Sequence, residues 1–197
     1  MFKARVILRE ADIGPRLAQL ETIALACGLD ADATSKGDSA ATRSWRTGNA
    51  DAAPVTAMHV TEDHDLACAY VEIVGHHREA LANAVARIYA TLPVCMPTEL
   101  VNDAVAAWRQ RPNLLQCAAL AVTDETATTL ATAISEALRD SDTEAWRRAA
   151  SAAALMPPEI AKRIVSQALV TESLPERMNA LKQLQKYLNG SPRENAC

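Results

Sequence analysis

The chain has 197 residues, 49% hydrophobic and 22% charged, which is enough apolar side chain to bury a core and too little charge for a disordered polymer. Twenty Lys and Arg against 24 Asp and Glu give a formal net charge of -4. With both signs scattered, that balance disfavours nucleic acid as the main partner, because phosphate binding draws on a concentrated basic surface, and it matches a basic protein better.

At the amino terminus, MFKARVILRE holds only Val6 to Leu8 as an unbroken apolar run, far short of the core of a signal peptide. No window approaches the roughly 20 apolar residues of a spanning helix, so the expectation is a cytoplasmic protein with no membrane partner. Cys27, Cys68, Cys95, Cys117 and Cys197 are odd in number and widely spaced, without CxxC or a Cys/His cluster; neither a disulfide framework nor a zinc site is implied. Four of them sit among Ala, Leu and Val and read as small buried hydrophobes.

In chain order, Phe2 to Arg9 alternates Phe2, Ala4, Val6 and Leu8 against Lys3, Arg5, Ile7 and Arg9, the period of a strand with one buried face. Asp12 then offers a cap, Pro15 lies near a first turn, and Ile13, Leu17, Leu20, Ala24 and Cys27 recur at helical spacing until Gly28 stops the helix. Between Leu29 and Ala53 the composition shifts to Asp, Ala, Thr, Ser and Gly, with Trp45 as its bulky residue. That segment, 30–53, is expected to be a mobile loop carrying a short strand around Arg43 to Thr47, or a disordered insertion. Pro54 to Val60 and Leu66 to Val74 read as strands joined by the polar turn TEDHD, and His76 to Leu92 as an amphipathic helix carrying Ala80, Leu81, Ala84, Val85, Ile88 and Tyr89 on one stripe. The order strand, helix, strand, strand, helix resembles the ferredoxin-like unit, in which two helices cover one face of an antiparallel sheet.

From Pro97 on, apolar helical stripes alternate with breaks at Arg111-Pro112, Thr123-Asp124, Ser141-Asp142, Pro157-Pro158 and Ser173 to Pro175. Ser141/Glu144 and Ser173/Glu176 have the spacing of a capping box. Leu100, Leu130 and Ile160 are each 30 apart, and Ala118, Ala149 and Ala180 each 31 apart; each set is followed by further matched small or apolar residues. Three helix pairs, about 98–123, 126–156 and 158–189, resemble HEAT-type repeats, though without the proline and arginine marks some members carry. Their alanines suit close helix approach; the alternative is an irregular helical bundle. The expected fold class is therefore α+β, with a ferredoxin-like βαββα unit at 1–96, an all-α HEAT-like unit at 97–190 and a tail at 191–197.

His59, His64, His76 and His77 lie near Glu62, Asp63, Asp65 and Glu72, but no pair has the helical i, i+4 placement of HExxH, so no metal is expected. GxSxG, a phosphate loop and GxGxxG are absent, and with them the motifs for an esterase elbow or a nucleotide cradle; no cofactor is expected. Two acidic turns are the candidate partner-binding residues: Glu62, Asp63 and Asp65 in the hairpin, and Asp140, Asp142 and Glu144 between two helices of the repeat. Caps and wet turn charges are the plain alternative for both groups. Trp108 and Trp146 fall on apolar stripes and read as core. A small acidic chain with an α+β head and a helical repeat resembles the immunity proteins of bacterial toxin systems, which bind and block a toxin, often a basic nuclease. That resemblance implies a non-catalytic inhibitor whose carboxylates meet the toxin's basic groups. The alternatives are an adaptor, or a small-molecule-binding or metal-dependent enzyme with a pocket lined by Trp45, His59 and Tyr70.

Overall fold

The alternation at the amino terminus forms strand β1, Phe2–Leu8, as expected. The computed structural model describes residues 1–36, 40–48 and 53–190. After β1 comes a 3-10 turn, Gly14–Arg16, opened by Asp12, whose Oδ1 accepts from the Gly14 N–H at 2.8 Å. Helix α1 spans Leu17–Ala26 and ends at Gly28, which takes φ +75, a left-handed conformation that L side chains rarely adopt.

The segment from 30 onward departs from expectation. Instead of a mobile loop, Asp30–Lys36 is strand β2 and Ala40–Arg46 is strand β3, paired antiparallel; residues 37–39 and 49–52 of the expected loop 30–53 lie outside the described residues. The expected short strand around Arg43 to Thr47 overlaps the end of β3, while small and hydroxylated residues hid β2 and the start of β3, because strand propensity is read mainly from bulky branched and aromatic side chains. Strands β4, Val55–Asp63, and β5, Cys68–Gly75, follow, and then helix α2, Arg78–Thr91. The order is thus βαββββα, two strands more than expected. The sheet runs β1-β5-β4-β3-β2 with every neighbouring pair antiparallel, so β1 closes against the last strand at one edge.

Register decides what each face carries. Ala4, Ile73, Met58 and Trp45 form one cross-strand row, and Val6, Val71 and Val60 lie in the next. This face packs on Leu20, Ile23 and Ala24 of α1 and Leu81, Ala84 and Ile88 of α2 in one apolar cluster. Two helices on one face of an antiparallel sheet are therefore present. Gly75 joins β5 to α2 at the tightest point: a Cβ there would lie 2.5 Å from Leu81 Cδ1 and against the Pro54 carbonyl.

The chain divides between Cys95 and Met96 into two compact units, and the second is helical in all its described elements. Its helices are α3 Pro97–Ala107, α4 Asn113–Leu120, α5 Asp124–Ala137, α6 Thr143–Leu155, α7 Pro158–Thr171 and α8 Pro175–Gly190. Their starts follow the expected breaks, with Pro97, Pro158 and Pro175 in the first turn, where a missing N–H costs nothing. Each helix touches its successor, and also the helix two further on: α3 with α5, α5 with α7, α4 with α6, α6 with α8. Ala104, Ala118, Ala149, Ala152 and Ala161 are completely or almost completely buried, which lets backbones approach closely. Trp108 and Trp146 are core residues, 2% and 6% exposed. Cys68 and Cys117 are buried, Cys27 and Cys95 half-buried; Cys197 and the tail lie outside the described residues.

Two expected capping boxes are displaced. The cap of α6 is Asp142, whose Oδ1 accepts from the Ala145 N–H at 2.7 Å, one residue beyond Ser141. Before α8, Glu172 Oε1 accepts from both Ser173 N–H and Leu174 N–H at 2.9 Å, so Ser173 is not the cap. In α6 an aspartate one residue on has taken the place of the serine, and ahead of α8 Glu172 has taken the donor that the box assigned to Glu176.

Candidate functional site

Both groups of carboxylates singled out from sequence are engaged in the fold. Glu62 Oε1 accepts from the Ile13 N–H at 2.7 Å, tying β4 to the segment before α1. Asp63 Oδ1 accepts from the Leu66 N–H at 2.9 Å and shapes the β4–β5 turn, while Asp65 at its tip is exposed. In the helical unit Asp140 Oδ1 accepts from the Asp142 N–H at 2.9 Å, and its Oδ2 lies 4.0 Å from Arg109 Nε. Asp142 is the α6 cap. Glu144 pairs with Arg148 at 2.6 Å and Arg147 at 3.6 Å. The two groups belong to different units, and their bonds are those of caps and turns, a tie from β4 to Ile13, and ion pairs on the helical unit.

The histidines spread out. His64 is at the exposed turn, His76 and His77 are exposed before α2, and His59 is half-buried on β4. No group of three or more His, Cys, Asp or Glu that could hold a metal occurs among the described residues. Trp45 and His59 lie on opposite faces of the sheet: Trp45 pairs with Met58 in the helix-covered core, whereas His59 and Tyr70 lie on the other face. A pocket joining Trp45, His59 and Tyr70 is therefore not formed.

What sequence reasoning missed is the row that register assembles on that second face. Arg5 of β1, Glu72 of β5, His59 of β4 and Ser44 of β3 lie side by side on four adjacent strands. Arg5 Nε donates to Glu72 Oε2 at 2.6 Å, Lys3 Nζ lies 3.2 Å from Glu72 Oε1, and Ser44 Oγ is 2.8 Å from His59 Nδ1. Burial alone would raise the Glu72 carboxyl pKa; the hydrogen bond and charge of Arg5, aided by Lys3, outweigh it and hold the pKa below the ordinary glutamate value. In the next row Thr42 Oγ1 and Thr61 Oγ1 are 3.2 Å apart, beside Tyr70, whose phenol is pushed up mainly by burial. A hydroxyl on an imidazole, with a carboxylate in the same row, has the elements of nucleophile activation. Ser44 is only 9% exposed. The local signal was available as alternation in β1, β4 and β5; the assembly depends on register, which no single segment carries.

In the helical unit, Arg177 at the start of α8 reaches back to the α5–α6 loop, donating from Nη1 to the Asp140 carbonyl at 2.7 Å and from Nη2 to the Ser141 carbonyl at 2.9 Å. Its guanidinium carbon lies 5.3 Å from the centroid of the Trp146 ring, within cation–π range. A cavity of about 580 Å³ opens beside this clamp. Among the described residues no helix is long and apolar enough to cross a membrane. Comparisons with protein-family models, curated proteins and solved structures found no match to the chain.

Proposed function

We propose that the chain is a non-catalytic protein-binding module of the immunity-protein kind, which neutralises a basic toxin domain by covering it. On this reading the helical unit is a HEAT-like repeat that presents a stacked surface, and the N-terminal unit is an α+β head with ferredoxin-like helix placement. The observation that carries the reading is the contact pattern of α3 to α8, in which each helix packs on its neighbour and on the helix two further on. That is how repeat units extend a surface without enclosing a reaction centre. Val105, Val170, Leu174 and Tyr187 are exposed apolar side chains of this unit, at 44%, 85%, 52% and 64%, and such side chains serve as contacts at protein interfaces. The step from architecture to role is by analogy.

The partner's basic groups would meet carboxylates at the turns, of which Asp65, Asp142 and Glu144 are exposed. Charge of this kind acts mainly on the association rate. The test is capture of a stoichiometric partner from the native cell by the full chain, followed by association kinetics from low to high salt. A basic partner whose on-rate falls steeply with salt is expected; the absence of any stoichiometric partner would overturn the proposal, and a salt-independent on-rate its charge component.

A second reading, an enzyme built on the α+β half, is favoured by the Ser44–His59 contact at 2.8 Å in one row with Glu72. A fluorophosphonate probe that labels the protein, but not the Ser44→Ala variant, would establish it; no labelling would remove it.

A further inference from the structure

The cavity between the α5–α6 loop and the α7–α8 loop measures about 580 Å³, within the range of roughly 300 to 1,000 Å³ typical of small-molecule sites. Its walls are of two kinds. Trp146, Leu174 and Pro175 supply apolar surface, and Arg147 and Arg177 supply positive charge against the single carboxylate of Glu176. Arg177 gives two of its N–H groups to neutral backbone carbonyls and has no carboxylate ion-pair partner among the described residues, so its charge is held in place and left uncompensated. Arg147 is 72% exposed, and its Glu144 partner lies 3.6 Å away, a loose pairing of little strength.

The indole Nε1 of Trp146, a side chain 6% exposed, is buried with no hydrogen-bond partner. The ring lines one wall of the cavity beside the fixed guanidinium, with its Nε1 covered by protein.

We propose that this cavity binds a small monocarboxylate with an apolar or aromatic body, the carboxylate held by Arg177 and Arg147 and the body laid against Trp146, Leu174 and Pro175. One carboxylate is indicated, because the lining carries two cations and one anion, and a doubly charged ligand would meet Glu176 uncompensated. The site lies wholly within the helical unit and stands or falls separately from the protein-binding reading.

The test is NMR titration of the ¹⁵N-labelled full chain, following the three indole N–H resonances of Trp45, Trp108 and Trp146, with Trp146→Phe used only to assign its signal. The probes are 3-phenylpropionate, 3-phenylpropionamide and 3-phenylpropylamine. The acid is expected to move the Trp146 resonance saturably while leaving those of Trp45 and Trp108 in place, and the amide and amine to bind at least tenfold more weakly. Arg147→Gln, at an exposed position outside the core, should weaken the acid about three- to tenfold, the size of an exposed charge-assisted contact. A Trp146 signal unmoved at millimolar acid, equal responses to acid and amide, or shifts spread over all three indoles would each overturn the site.

Discussion

In the N-terminal unit the bond between Arg5 and Glu72 joins residues 67 apart, whereas in the helical unit Arg148 meets Gln116 and Arg177 meets Asp140 across 32 and 37 residues. The first distance spans almost a whole unit and is bridged by a sheet in which β1 waits for β5. The second is about one helix pair. A sheet whose first strand pairs with its last has one register that places Ala4, Val6, Trp45, Met58, Val60, Val71 and Ile73 on the helix side, and a one-residue slip would turn them to the wrong face. Helix pairs stacked on their neighbours carry no such global constraint. The difference teaches that damage in the first unit should be felt throughout it, while damage in the second should stay near its origin.

The sharpest test is Gly75→Val. A Cβ at this position meets Leu81 and the Pro54 carbonyl, and strain of this kind costs about 3 kcal/mol or more. Chemical denaturation should show the loss, and hydrogen exchange should show protection falling together in β1, β4 and β5. If protection fell only near α2, the contrast would be wrong. Ala149→Leu is the counterpart in the helical unit: Ala149 is fully buried, overpacking costs about 2 kcal/mol, and exchange is expected to rise in α6 and the helices it touches. Equal loss from α3 to α8 would mean that this unit too folds as one block.

Glu72→Gln probes the polar row. Because the folded carboxyl titrates below its ordinary value, Glu72 contributes stability above that value and loses it as pH falls through the lowered folded value. The variant should be less stable by about 2 kcal/mol near neutrality, with the gap closing in acid. A gap unchanged down to pH 2 would show that Arg5 and Lys3 do not stabilise the charge. The smallest effects separate the acidic turn residues from one another. Asp142→Ala removes a cap bond and should cost about 1 kcal/mol, while Glu144→Gln, in an exposed pair, should cost under about 0.5 kcal/mol; thermal unfolding of the two variants side by side would rank them.

Much of the architecture was legible because it is written locally. Proline and aspartate breaks mark the helix ends, alanine spacing marks the buried stripe, and period two in β1, β4 and β5 marks their faces. The segment 30–46 was legible only as the short strand around Arg43 to Thr47, since Ala, Thr, Ser and Asp look the same in a loop as in a strand whose partner supplies the stability. The capping boxes were misplaced for a related reason: Asp142 caps α6 from one residue further on, and Glu172 takes the Ser173 N–H that the box assigned to Glu176.

The sequence by itself determined which stretches are helix, which strand face is apolar and where the helical run breaks, because backbone preference and burial period act over a few residues. Only the tertiary structure decided that Arg5, Glu72, His59 and Ser44 share one row, that Trp45 and His59 lie on opposite faces, and that Arg177 clamps the loop beside Trp146. Those meetings follow from strand register and helix stacking, which bring together residues 13 to 67 positions apart; at that range no local spacing records who will be neighbours.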